Sequence, residues 1–85
     1  RAVYLSQHYL GSKNYKKARS VVEELINSGT PHQYWLARGF IILSDINRAE
    51  GNTFEANEYL KTLQNNYPGN EADIFQMIEQ RLSNN

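Results

Sequence analysis

Apolar residues recur along the chain at spacings of three and four, and clusters of turn-forming residues at 11–14, 27–31, 51–52 and 68–70 cut that pattern into five stretches. Residues 2–10 place Ala2, Leu5 and Tyr9 on one helical face. Residues 15–27 do the same with Tyr15, Ala18, Val22, Leu25 and Ile26. The third stretch, 31–50, is the longest and most apolar: Trp35, Gly39, Ile42, Ile46 and Ala49 share one side, with Leu36, Phe40 and Leu43 beside them. A stripe that wide predicts burial against more than one neighbour. Residues 53–67 carry Ala56, Tyr59, Leu60, Leu63 and Tyr67, and residues 71–82 carry Ile74, Phe75, Ile78 and Leu82, each with one solvated face. No stretch alternates with a period of two, so the predicted fold class is all-α, with five helices.

The punctuation agrees with the periodicity. Thr30, Pro31 and Gln33 match a capping box, in which the Thr hydroxyl accepts from a free amide, Gln33 reaches back and Pro31 loses nothing by lacking an N–H. Gly29 and Gly51 are placed to take the left-handed conformation that ends helices. Asn52 with Glu55, and Asn70 with Asp73, repeat the entry signal more weakly.

Sliding the chain along itself by 38 residues lays Leu5 on Leu43, Ser6 on Ser44, Asn14 on Asn52, Ala18 on Ala56 and Leu25 on Leu63, with Val22 on Leu60 and Val3 on Ile41. Such a period signals an array of supersecondary units that cannot bury their apolar faces alone. The unit here is a helix pair, made antiparallel by the short connections at 11–14 and 51–52. Ser6, Ser44, Ala18 and Ala56 are small enough to let the paired axes approach, and Leu5 and Leu43 are expected to seal the contact.

These residues resemble the tetratricopeptide repeat. The first copy offers Leu5, Ser6, Tyr9, Ala18, Val22 and Leu25; the second offers Phe40 where that family favours Trp, then Leu43, Ser44, Gly51, Ala56, Leu60, Leu63 and Pro68. Asn47 stands where an aromatic belongs, and Lys13 replaces the usual Gly. The resemblance implies two helix pairs over 1–68, about 1–30 and 31–68, and a C-terminal capping helix with a tail over 69–85. The general look is similar to the C-terminal repeats of large bacterial tetratricopeptide proteins, and Arg1 at the first position in place of Met reads as a piece of a longer protein. Carried over residue by residue, the resemblance implies a partner-binding groove on the first helix of each pair, with Val3, Gln7 and Leu10 in one copy and Arg38, Ile41, Asp45 and Arg48 in the other. Read without it, Arg38, Asp45 and Arg48 form a solvated face with an intrahelical ion pair, and this plainer reading is favoured because exposed charge runs carry little energy.

Composition narrows the function classes. Nine Lys and Arg against nine Asp and Glu give a formal charge of zero, which disfavours nucleic acid, whose binders carry a basic excess. The lack of a recognition helix rich in Arg, Lys, Asn and Gln argues likewise against a helix-turn-helix binder. The basic cluster Lys13, Lys16, Lys17 and Arg19 is followed at helical reach by Glu23 and Glu24 and reads as a self-compensated face. The longest uncharged apolar run, 39–43, is far below the roughly 18 residues of a membrane span. With no Cys there is no disulfide framework or thiol nucleophile. His8 and His32 are a full helix apart with no nearby carboxylate pair, so no metal site is expected. There is neither a Gly-rich phosphate loop nor a nucleophile elbow, and Glu23, Glu24, Glu55 and Glu58 have nothing around them in sequence to tune a general base. The aromatic residues recur at helical spacing and read as packing. The expectation is a non-enzymatic protein-protein interaction module that takes a protein or peptide partner and no cofactor. A structural spacer, self-association through exposed repeat ends, and an accessory domain of a larger enzyme stand as alternatives.

Overall fold

Turn chemistry sets the helix boundaries. In the computed structural model, which describes residues 1–84, α1 (Ala2–Gly11), α2 (Tyr15–Ile26), α3 (Gln33–Ala49), α4 (Thr53–Asn66) and α5 (Ala72–Ser83) account for all the regular structure. Asn85, the end of the expected tail, lies outside the described residues. Helices α1 and α3 end in the same way. The N–H of Asn14 donates to the Tyr9 carbonyl at 2.8 Å and that of Lys13 to Leu10 at 3.0 Å; Asn52 donates to Asn47 at 2.8 Å and Gly51 to Arg48 at 3.0 Å. This double-bonded terminus requires one left-handed residue, supplied by Lys13 at φ 62° and by Gly51 at φ 90°. The next residue, Asn14 or Asn52, is already the N-cap of the following helix, and the Asn14 side chain accepts from the Lys17 N–H at 3.3 Å.

Two helix starts differ from expectation: Glu71, with no side-chain capping bond, is the N-cap of α5 in place of Asn70, and the start of α3 differs as well. Helix α3 begins at Gln33 with His32 as its N-cap, so Thr30 and Gln33 do not form a capping box. The Thr30 hydroxyl instead accepts from the His32 N–H at 3.2 Å, a local turn that holds residues 30–32 out of the helix.

Helix α3 packs against all four of the others, whereas the backbones of α2 and α4 do not approach one another. Arg19, early in α2, reaches Asn47 and Glu50 at the far end of α3, while Leu25 and Val22 approach Gly39; these two helices are therefore antiparallel. Tyr34 bonds Asp73, and Asp45 bonds Arg81, so α3 and α5 run parallel. The thin dimension of the molecule is 17 Å, room for two layers of helices at the usual spacing of about 8–10 Å.

The core lies on both sides of α3. Ile42, Leu43 and Ile46 join Val3, Ala18 and Val22 on one side. Ala37 and Ile41 join Leu60, Ile74 and Ile78 on the other. The wide apolar stripe of α3 thus meets more than one neighbour, as its width requires. On α1 the buried face is one residue out of phase with the sequence reading: Val3 and Ser6 are buried, while Leu5 is 40% exposed. Leu43 is covered by the first helix pair, whereas Leu5 lies at the edge of the seam between α1 and α2, beside Val21 and Leu25, and is only partly covered there.

Positions 38 apart share local geometry. Ser6 and Ser44 are fully buried, and each hydroxyl donates to the carbonyl three residues back, Val3 at 2.8 Å and Ile41 at 2.9 Å. Ala18 and Ala56, and likewise Val22 and Leu60, have no exposed surface. A left-handed Lys costs roughly 1–2 kcal/mol relative to Gly, partly offset by the extra freedom glycine loses on folding. Lys13→Gly is therefore expected to stabilise by about 0.5–1 kcal/mol and Gly51→Ala to destabilise by a similar amount, read as opposite shifts of the urea midpoint at constant slope. A Cβ on Gly39 would sit 3.3 Å from Leu25 Cδ2. Gly39→Val should accordingly cost about 1–3 kcal/mol by overpacking the crossing of α2 and α3.

Candidate functional site

The stripe expected to form a groove is largely engaged within the chain. Ile41 is 2% exposed beneath Ile74 and Ile78 of α5, which corrects its expected role: an anchor for another molecule needs open surface, and α5 covers this one. Asp45 accepts two bonds from the Arg81 guanidinium, at 2.8 and 3.1 Å. Arg48 donates to the Asn57 side chain at 2.7 Å. Arg38 lies 5.8 Å from the ring centres of both Tyr34 and Trp35 and donates to the Tyr34 hydroxyl at 2.9 Å, which in turn donates to Asp73 at 2.5 Å. The expected intrahelical pair is thus replaced by bonds to other helices. Val3 is in the core, Leu10 is half-buried, and Gln7 alone of the α1 positions is exposed.

A different face is open. Leu36 and Phe40 of α3, Tyr59 and Leu63 of α4 and Tyr67 just after it line a trough of about 520 Å³, with Phe54 at its rim. Leu36 and Phe40 lie about 100–180° round the helix from Ile41 and Asp45, which face α5. Phe40 and Tyr59 stack with centroids 6.2 Å apart. Phe54 is 72% exposed and Tyr59 39%, against the expectation that the aromatic residues pack inside. The signal was available for Phe54, which sits about 160° round α4 from the buried Ala56. Tyr59 gave none, since its spacing to Ala56 and Leu63 is that of the buried stripe.

The trough closes at one end on a loop that holds Tyr67. Its hydroxyl donates to the Glu71 carboxylate at 2.6 Å, and Gly69 lies directly beneath that link with no room for a side chain. Removal from water, reinforced by the Glu71 bond, pushes the Tyr67 hydroxyl up to about 12. On the other side of the molecule Arg19 bridges α2 to Glu50 at 2.5 Å and to Asn47 at 3.0 Å. That bond to Arg19 holds Glu50 below the usual carboxylate range. Asn47, which breaks the aromatic pattern of the sequence, is thereby the acceptor that receives Arg19. Among the described residues no group of three His, Asp or Glu is placed to hold a metal ion, and no helix is long and apolar enough to cross a membrane. His8 and His32 are both exposed. No protein-family model, curated protein or solved structure matches the chain.

Tyr67 should ionise last among the six tyrosines, seen as a phenolate absorbance step near pH 12 that Tyr67→Phe removes. Because its folded pKa is raised, the stability it contributes is complete below about pH 10, the ordinary value, and is lost as pH rises through about 12. Arg81→Met, which removes the half-buried bidentate pair, is expected to cost roughly 1–2 kcal/mol and to accelerate amide exchange in α5 more than in α2.

Proposed function

We propose that this chain is a non-enzymatic protein-binding module, built as two tetratricopeptide-like helix pairs and a capping helix, whose working surface is the apolar trough between α3 and α4. The repeat reading is supported by the matched termini at Lys13 and Gly51, the matched serine bonds and the matched alanines. The binding reading rests on one observation: the second pair carries ring surface that packing does not demand. Shifted by 38, the trough positions Phe40, Tyr59 and Leu63 correspond to Ala2, Val21 and Leu25, which line a seam of their own between α1 and α2. The first pair has Ala and Val where the second has Phe and Tyr, and its seam is an open depression of about 430 Å³ without ring surface. A large, partly exposed aromatic surface of this kind is what interaction sites add to a fold.

Peptides selected from a random display library on the immobilised chain are expected to lose binding to Phe54→Ala, whose unfolding midpoint should stay unchanged because the ring is exposed. Selected clones that bind both proteins equally would exclude the trough. A second reading is favoured by Tyr4, 60% exposed, next to Leu5, 40% exposed: self-association through this end of the molecule. Light scattering would then give a mass that rises with concentration and returns to that of one chain in Leu5→Glu.

A further inference from the structure

Resting on the trough as the working surface, we infer that its occupant is a partner's amphipathic α-helix with lysine or arginine along the flanks of its apolar stripe. Three observations select that occupant. First, the walls are mostly carbon. An extended peptide laid here would bring backbone N–H and C=O groups against Leu36, Phe40 and Leu63, where the scattered side chains of Gln33, Thr62 and Asn66 cannot bond a whole strand, a costly burial. A helix closes its own backbone bonds and presents only side chains. Second, the wall formed by α4 from Phe54 to Tyr67 is about 20 Å long at 1.5 Å per residue. That length matches roughly four turns of a partner helix, with anchors at i, i+4, i+7 and i+11.

Third, the charge has one sign. Glu55 and Glu58 are the charged residues of the lining. Glu55 makes no ion pair among the described residues, and Glu58 lies 3.9 Å from Lys61 with both side chains more than half exposed, too loose a pair to neutralise it. The corresponding seam of the first pair has Arg1 and Glu24 on its rim, so its charge is mixed and its floor is small. Preference for a basic helix is therefore a property of the α3–α4 trough and not of helix pairs in general.

The test uses three labelled 18-residue peptides on the full chain, followed by fluorescence anisotropy at low and high salt. One has a Leu and Trp stripe with Lys flanks, the second the same stripe with Glu flanks, and the third is the Lys peptide with two central prolines that prevent a helix. The Lys-flanked helix is expected to bind at least tenfold more tightly than either of the others, with its advantage over the Glu peptide shrinking as salt screens the rim. The double variant Glu55→Lys and Glu58→Lys, at exposed positions that leave the fold intact by circular dichroism, should reverse the order of the Lys and Glu peptides. Equal binding of those two, undiminished binding of the proline peptide, or an unreversed order in the double variant overturns the inference. If Phe54→Ala abolishes binding in those cases, the trough reading survives. If peptide binding is indifferent to Phe54→Ala, both fall. Growth of the chain's own mass by light scattering that the Lys peptide cannot dissociate would assign the trough to a second copy and also overturn it.

Discussion

Everything in this molecule is arranged around the circumference of α3. A helix that touches four others has little surface left for water, yet α3 carries Arg38, Asp45, Asn47 and Arg48 among its apolar residues. Buried or half-buried polar groups are tolerable only when bonded. Each of these is: Asn47 to Arg19 of α2, Arg48 to Asn57 of α4, Asp45 to Arg81 of α5, and Arg38 to a tyrosine that itself bonds Asp73 of α5. Apolar contact brings the helices together without choosing a register, whereas these directional bonds choose one for α2, α4 and α5.

The same requirement explains why the stripe that looks like a binding groove in sequence is closed. Ile41, Asp45 and Arg48 lie on sides of α3 that its own neighbours need, and α5 occupies the place a ligand would take. What is left open is the outer side of the seam between α3 and α4, which neither α2 nor α5 lines. The aromatic side chains there add area that the first helix pair manages without. In the proposed reading, that excess is what distinguishes the trough from the smaller seam between α1 and α2, where Leu5 lies.

The two helix pairs also show how one backbone plan accepts different residues. Both hinge on a left-handed residue after the first helix. In one pair it is Gly51, at no steric cost; in the other it is Lys13, which the motif holds in place through two carbonyl bonds. Sequence similarity between the pairs is modest because identity is needed only at the small buried positions, where Ser6 matches Ser44 and Ala18 matches Ala56, and not along the seams.

Local information was enough for a good deal of this. The turn clusters and the 3.6-residue period fixed the number of helices and their class, since both depend on backbone conformation and on which face is apolar within ten or so residues. The small residues at offset 38 were likewise legible as buried, because nothing larger fits between close axes. Other features required the assembled fold. The phase of α1, with Val3 and Ser6 inward and Leu5 at the outer edge of the seam with α2, depends on where α3 lies. The closing of Ile41 depends on α5, some 30 residues downstream. The openness of Tyr59, on the same helical stripe as buried Ala56, depends on the outer side of the α3–α4 seam being lined by neither α2 nor α5. Periodicity says which side of a helix avoids water, but only the neighbours decide how far round that side extends.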